Sequence, residues 1–564
     1  MWRASRRTLG VVYPRPVRLA RTALILGIAA LWGPAALAQT APGRRPLTLS
    51  VGPRDGVWER VFNPLLYEVD TRWPAAAGIY EPLLVYNRAT ATYMPWLGTR
   101  YVWSESNKRL RFTLRPAVTW SDGAPFTARD VVFTFELLKR FPALDRVKMW
   151  GFLSEVAAVD PNTVDFVFKR PFTPGLVSIG QTPIVAEHKW KAVANPATFT
   201  DPNPVGTGPF TEVLRFEPML YELGRNPHYW QPGKPVVSSL RVAMYHSNRE
   251  IKQALEKGEL DWASLFIPDI EKSYMAQDPT RRAYWYPDFG TTTLLYLNTG
   301  KKPFDDKNVR KAISMAIDRR RIVTEALSGY APPADATGLA ESQKRWRDAT
   351  AQAAPWTQHN VAEANRLLDA AGLARGADGI RAVPGGGRMR YEIHAVAGWS
   401  NSEATASIIQ QSLAEVGIAA TAVPLPYQTW SDKLQNGRFD MGIWGSTRGP
   451  TPYQFYRGQL DAELVRPIGE EATDNFPRFA SADASPILRR FEAASDPDEL
   501  LTLSGDLQRI YVESAPSLPL FASPLWGVFN TSRFVGFPGR ARAYAGASPG
   551  QTDTLPALVE IAPR

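Results

Sequence analysis

The sequence predicts an α/β protein with at least two domains. The chain has 564 residues, and single hydrophobic cores stop growing well below that length. In its second half, apolar strand-like segments alternate with helix-like ones, as in Met389–Val396, Glu403–Val416 and Gly417–Val423. This alternation is typical of a sheet that contains parallel strands. The part of the chain with the clearest start and stop signals is a strand–loop–helix unit at 292–329.

That unit is predicted from local signals. Thr292–Asn298 is a mostly buried strand, because β-branched and apolar residues run together and stop at Asn298. A helix follows over 307–327, capped by Asp305 or Asp306, with Gly329 as its left-handed end. The three arginines at 319–321 lie near its far end, where positive charge suits the helix dipole. One apolar stripe supports the helix, formed by Val309, Ala312, Ile313, Ala316 and Ile317.

Several function classes are excluded or disfavoured by composition. The sequence contains no cysteine, which rules out disulfides, thiol nucleophiles and cysteine-ligated metals. The five histidines are scattered, so no metal or other cofactor is predicted. The formal charge is +10, but six arginines lie in residues 1–38, which leaves +4 for the rest. No basic run with interleaved aromatics occurs, and we expect no nucleic-acid partner.

Residues 1–38 resemble a signal peptide. Arginines from Arg3 to Arg21 form a basic segment, and 22–32 form a short apolar one. Ala36-Leu37-Ala38 has the small-x-small pattern that signal peptidase recognises, so Gln39 would begin the mature chain. An uncleaved anchor is the alternative. Ser5–Leu9 is a partial twin-arginine pattern, so the export route, Sec or twin-arginine, is left open.

The first half begins with alternating strands. Leu47–Val51 is one, and Lys108–Arg115 is a clear period-two strand. Thr127 with Asp130 approximates a capping box for a helix over 128–141. A turn at Trp120-Ser-Asp-Gly precedes this helix. It belongs to a distinctive run that continues through Pro125-Phe126-Thr127 to Val132.

Several motifs in this order resemble the extracytoplasmic solute-binding proteins of the peptide-binding family of ABC importers. They include Tyr80-Glu-Pro-Leu83, the run from Leu114 to Val132, Gly206-Thr-Gly-Pro-Phe210, Arg225-Asn-Pro-His-Tyr-Trp230 and Lys302-Pro-Phe-Asp-Asp306. The resemblance covers nearly all of residues 47–540. It implies a large two-lobed α/β periplasmic binding protein of the cluster C type, with an extra domain inserted in the first lobe.

The resemblance also implies a domain plan. Lobe I would comprise 47–85, 205–290 and 520–564, the extra domain 86–204, and lobe III 291–519. In this family the chain crosses the hinge twice, here near Leu295 and Leu520, and the two crossings should be adjacent. A cavity should separate the lobes beside Trp444.

The candidate ligand residues follow from the same resemblance. The strand ending at Trp444 would deliver a loop of Gly445, Thr447 and Arg448, and Trp399 and Trp73 would offer flat surfaces. Peptide-binding members usually place an acid three residues after this tryptophan, to pair with the peptide ammonium. Here that position is Thr447. Either another acid such as Glu68 or Asp70 replaces it, or the ligand has no ammonium there, because a buried unpaired ammonium is costly.

The resemblance implies a binding function without catalysis. The protein would be a periplasmic, monomeric receptor that captures oligopeptides between two closing lobes and delivers them to a membrane permease driven by a cytoplasmic ATPase. An oligosaccharide ligand is the alternative, and Arg448 would suit an anionic group or a sugar hydroxyl network. A secreted hydrolase is a distant third hypothesis, since no nucleophile motif or distinctive acid pair is present.

Overall fold

The computed structural model describes residues 46–54, 56–66 and 77–564. The predicted signal peptide and the predicted ligand residue Trp73, together with Glu68 and Asp70, lie outside the described residues.

The described strands are β1 (Leu47–Ser50), β2 (Leu84–Asn87), β3 (Thr92–Pro95), β4 (Gly98–Ser104), β5 (Arg109–Leu114), β6 (Leu153–Asp160), β7 (Thr163–Phe168), β8 (Phe210–Glu217), β9 (Leu220–Arg225), β10 (Ser239–Ala243), β11 (Trp262–Ala263), β12 (Arg282–Trp285), β13 (Asp288–Leu297), β14 (Arg390–Val396), β15 (Ala419–Leu425), β16 (Met441–Gly445), β17 (Ser517–Pro524), β18 (Gly527–Asn530), β19 (Phe534–Val535) and β20 (Ala562–Pro563).

The described α-helices are α1 (Ala128–Arg140), α2 (Gly175–Gly180), α3 (Glu187–Trp190), α4 (Asn248–Glu256), α5 (Ile270–Ser273), α6 (Lys307–Ala316), α7 (Arg319–Arg321), α8 (Ala349–Gln352), α9 (Val361–Ala370), α10 (Ser400–Glu415), α11 (Tyr427–Gln435), α12 (Pro452–Leu460), α13 (Ala484–Ala493), α14 (Pro497–Ser514) and α15 (Leu555–Glu560). None of these is long and apolar enough to cross a bilayer.

Three sheets carry most of the strands. The first has the order β12-β18-β11-β1-β10-β9-β8, with β1 parallel to both β10 and β11. The second has the order β15-β14-β16-β13-β17, and β14 runs parallel to β15 and β16. The parallel pairing predicted for the second half is therefore confirmed. The third, β4-β5-β7-β6, is antiparallel throughout.

The local predictions in the first half hold. In β5 the inward residues Leu110, Phe112 and Leu114 are buried, as the period-two pattern requires. At the start of α1 the Thr127 side chain accepts from the Arg129 amide, and the Asp130 carboxylate accepts from the Thr127 amide, which completes the capping box. The domain bounds, including the extra domain, remain predictions.

The predicted helix over 307–327 is wrong in its length. α6 ends at Ala316, and Ile317 is extended with φ −81° and ψ 120°. Asp318 then caps the N-terminus of a second helix, α7, by accepting a hydrogen bond from the Arg321 amide. A π-helical turn follows over Ile322–Ala326. Arg319 does not provide the predicted favourable charge at the end of a long helix, because its side chain is buried and donates hydrogen bonds to carbonyl groups of other segments. Gly329 has the predicted positive φ, 77°.

Candidate ligand-binding site

Two adjacent strands connect the first and second sheets. β13 follows β12 of the first sheet, and β17 precedes β18 of that sheet, while both belong to the second. They pair antiparallel, with Thr293 opposite Phe521 and Leu295 opposite Leu518. The predicted adjacency of the two crossings is confirmed. Two adjacent connections of this kind can serve as a hinge between lobes.

Trp444, the residue before the end of β16, belongs to an aromatic cluster. Its ring lies 4.3 Å from that of Trp430 and 5.8 Å from that of Trp399, centroid to centroid. Tyr427 stacks on both Trp399 and Trp430. Trp444 and Trp399 are half-buried. The structure thus brings together two of the predicted ligand residues, and offers a flat, partly accessible apolar surface.

The segment that carries Trp399 touches the first sheet's connections. The Trp399 indole donates to the Pro53 carbonyl at 3.3 Å, and the Asn248 amide donates to the Ser400 hydroxyl at 3.2 Å. Gly398 has φ +79°, and a Cβ atom added there would lie 2.6 Å from the His246 carbonyl oxygen. The chain approaches so closely at this point that only glycine fits.

The carboxylate of Asp474 lies beside Thr447, the position where peptide-binding members usually carry an acid. The Thr447 hydroxyl donates to Asp474, whose carboxylate also accepts from the Asn475 amide at 3.1 Å. Burial raises the pKa of Asp474, and the bond from Thr447 and the charge of Arg457 oppose that rise. Sequence reasoning missed Asp474, because it is 27 residues from Thr447 along the chain and no motif surrounds it.

Arg448 is exposed and lines a cavity of about 270 Å³. The wall combines segments that are far apart in sequence and come from both predicted lobes and the predicted extra domain: Tyr86, Arg88, Ala91, Val177, Gln181, Gly290, 342–343, 345–346, 448–450 and 551–553. Trp444, Gly445, Thr447 and Trp399 lie outside this wall. A small concave site where separate parts of a fold meet is the usual place for a ligand.

The charged residues of the cavity wall are mostly basic. Arg88 makes a two-bond ion pair with Asp553, and the Arg448 guanidinium donates to the Gln551 amide oxygen at 3.2 Å. Burial raises the pKa of Tyr86, while the nearby charges of Arg345 and Arg88 act in the opposite direction. Within the part of the chain that the structure describes, no group of three or more His, Asp or Glu side chains is arranged to hold a metal ion.

Two adjacent connecting strands and a cavity lined by separate segments are features of a solute-binding protein. The profile of the bacterial extracellular solute-binding proteins, family 5, matches residues 92–463. The chain therefore belongs to this family, whose members bind solutes for ABC importers, and the predicted family and function class are confirmed. Members of this family act outside the cytoplasmic membrane and work with a permease and its ATPase.

The individual relatives agree with this assignment. The di/tripeptide-binding protein 2 of Pseudomonas aeruginosa is 24% identical over 84% of this chain and 88% of its own. The dipeptide-binding protein of Escherichia coli is 25% identical over 81% of this chain and 86% of its own. A periplasmic oligopeptide-binding protein of Thermotoga maritima, solved with mannohexaose bound, is 24% identical with a TM-score of 0.83, covering 92% and 99% of the two chains. The predicted two-lobed α/β fold is thereby confirmed.

Proposed function

We propose that this protein captures peptides in the cavity beside Arg448 and delivers them unaltered to the permease of an ABC importer. The observation that carries the proposal is the position of the cavity. Its wall includes Gly290 on hinge strand β13 and residues from both sides of the hinge. A ligand there contacts both lobes at once, so its binding energy favours the closed state. The receptor acts as a monomer in the periplasm after removal of residues 1–38.

A peptide ligand is supported by two observations. Two of the similar proteins are named for dipeptides or tripeptides. In addition, Asp474 supplies a buried carboxylate next to Thr447, the position where peptide-binding members usually carry an acid. We propose that Asp474 replaces that acid and pairs with the ligand's ammonium group. An ammonium within hydrogen-bond distance would favour the ionised carboxylate.

An oligosaccharide is the second candidate, and a specific observation favours it. The fold is similar to that of a protein solved with mannohexaose, and the Trp399–Trp444 pair, at 29° between ring planes, offers the flat surface on which sugars stack.

Mass spectrometry of ligand released from natively purified protein would distinguish a peptide from an oligosaccharide. Recovered peptides support the first proposal, recovered hexose oligomers the second, and cleavage of added peptide would contradict simple capture.

The role of Asp474 has its own test. Asp474→Asn should weaken peptides with a free amino terminus by about 10-fold or more, because a charge-assisted hydrogen bond is lost. The same peptides with an acetylated amino terminus should bind wild type and variant equally, as measured by calorimetry. They control for misfolding of the variant. An equal loss for both sets of peptides would contradict the pairing.

A further inference from the structure

A junction away from the hinge strands joins the predicted extra domain to predicted lobe III. Its centre is Glu492, near the C-terminal end of α13, whose side chain is 6% exposed. Arg170, from the predicted extra domain, forms an ion pair with this carboxylate. The hydroxyl of Tyr453 on α12 donates to the same carboxylate at 2.7 Å. One buried carboxylate therefore binds side chains from both regions.

The segment that carries Arg170 also caps α13. The Thr173 amide donates to the Glu492 carbonyl at 2.9 Å, and the Thr173 hydroxyl donates to the Ala494 carbonyl at 3.2 Å. Carbonyl groups at a helix C-terminus have no partner within the helix and otherwise bind water. These hydrogen bonds can therefore exchange with water, so the junction can form and break without leaving the carbonyl groups unpaired.

The contacting segment is held in shape by its own domain. Pro171 and Pro174 fix two of its backbone φ angles. Between them the buried Phe172 ring stacks on Phe152 at 4.3 Å, and it lies 6.0 Å from the Tyr453 ring at 82° between the ring planes. Because the segment is ordered before it meets α12 and α13, little conformational entropy is lost when the junction forms.

Both sides of the junction continue into the cavity wall. Helix α2 begins two residues after Thr173, and the cavity-lining residues Val177 and Gln181 lie within it and directly after it. On the other side, the cavity-lining residues 448–450 precede α12, and Tyr453 lies in the first turn of that helix. The contact at Glu492 therefore fixes the spacing between two parts of the cavity wall.

Two further ion pairs accompany this contact. Arg489 pairs with the Glu492 carboxylate at 3.5 Å, but both residues belong to α13. Arg146 of the predicted extra domain pairs with Glu471 of predicted lobe III at 3.0 Å, where the Glu471 side chain is exposed. Exposed ion pairs contribute little. The buried Glu492 carboxylate is therefore the stronger attachment, and Arg170 is the partner that crosses the junction.

We infer that the contact of Arg170 and Thr173 with Glu492 and Ala494 is a latch that holds the receptor closed before cargo arrives. The latch is engaged in this structure. Apparent affinity rises with the fraction of the protein already in the state that cargo stabilises. The latch thus raises the affinity for every cargo by the same factor and does not select among them. This role goes beyond the proposed capture and requires no identified cargo.

The test measures closure in the mature protein freed of bound solute. The chain contains no cysteine, so Val159→Cys on β6 and Leu501→Cys on α14, both at exposed positions, place one spin label on each region. Double electron–electron resonance should show a population at the distance expected from this structure and a second, longer one. Arg170→Gln should lower the ratio of the closed to the open population about 5- to 10-fold, because a charge-assisted hydrogen bond to a buried carboxylate is lost.

Arg489→Gln is the matched control, because it also removes a partner of Glu492 but only within α13. It should leave the ratio unchanged. Thr173→Val removes the second attachment and should shift the ratio in the same direction as Arg170→Gln, by a smaller factor. The absence of a closed population without cargo would overturn the latch, as would an Arg170→Gln effect no larger than that of Arg489→Gln. Since no peptide or sugar is added, the result is independent of the proposed function.

Discussion

Glu81 lies fully buried and accepts hydrogen bonds from the Trp96 indole at 2.7 Å, the Tyr229 hydroxyl at 3.0 Å and the Trp230 indole at 2.9 Å. These donors favour the charged carboxylate, but burial outweighs them and raises the pKa of Glu81 to about 7. Glu81 and Trp230 belong to two motifs, Tyr80-Glu-Pro-Leu83 and the run ending at Trp230, that are far apart in sequence. Their contact gives both motifs a structural purpose.

Glu81 should make stability depend on pH. Its folded pKa, about 7, exceeds its ordinary value of 4.5, so the folded state binds the proton more tightly than the unfolded state. The contribution is complete below about pH 4.5 and is lost as the pH rises through 7, with a total of about 3 kcal/mol. Glu81→Gln should flatten the curve of unfolding free energy against pH over this interval, measured in urea. An unchanged slope in Glu81→Gln would refute the assignment.

Of the candidate ligand residues that the sequence indicated, Arg448 lines the cavity, whereas Trp399, Trp444, Gly445 and Thr447 lie outside its wall. The lack of an acid at position 447 was visible from the sequence. That Asp474 lies beside Thr447 was not, because a loop contact across 27 residues leaves no periodic signal. Nor was it visible from the sequence that Arg345 lines the cavity, because an exposed arginine in a polar segment has no pattern that distinguishes it from any other surface charge.

Among the elements, the break between α6 and α7 has the clearest consequence. Because Ile317 leaves the helix, Arg319 can reach carbonyl oxygens that a continuous helix would hold out of range. It donates to Pro519 at 2.6 Å, Ser314 at 2.9 Å and Thr357 at 3.0 Å. Burial lowers the pKa of Arg319 to about 9. The side chain thereby joins the helical unit to hinge strand β17, which contains Pro519.

Removal of this side chain should be costly. Arg319→Ala leaves buried carbonyl oxygens without donors, so we expect a loss of more than about 3 kcal/mol of unfolding free energy. Arg320→Ala is the matched control, since the neighbouring side chain is exposed and should change stability by less than about 0.5 kcal/mol. Urea unfolding of both variants measures the difference. Similar effects of the two substitutions would show that Arg319 has no special role.

Across the whole molecule, segments from the two predicted lobes are joined at the hinge strands and contact each other again at Gly398 and Trp399. Strands β13 and β17 provide the connection, and the cavity lies beside it. In a separate contact, Gly398 and Trp399 meet His246 and Pro53. The approach at Gly398 is between backbone atoms, which cannot rotate out of the way as a flexible side chain would. The only relief for a larger residue is separation of the two segments.

Gly398→Ala should therefore weaken ligand binding by about 10-fold, because overpacking of this kind costs about 1–3 kcal/mol in the closed state. Gly379→Ala is the control: it has a similar φ, +75°, with no atom within 4 Å of the added Cβ. Both should lose about 1 kcal/mol of stability from the left-handed backbone. Calorimetric affinity for the ligand released from native protein distinguishes them. Equal affinities would mean that the contact at His246 does not govern closure.

By itself, the sequence determined the α/β class and the capping of α1, because these depend on local periodicity and on motifs that are contiguous in the chain. The family followed from the resemblance that several such motifs carry, and the adjacency of the hinge strands was an implication of that resemblance. Tertiary structure decided where α6 ends, which carboxylate accompanies Thr447 and which arginines share the cavity. These depend on contacts between segments separated by tens to hundreds of residues. Such contacts are set by packing free energy, which favours burial of Arg319 over one continuous helix and leaves no trace in local order.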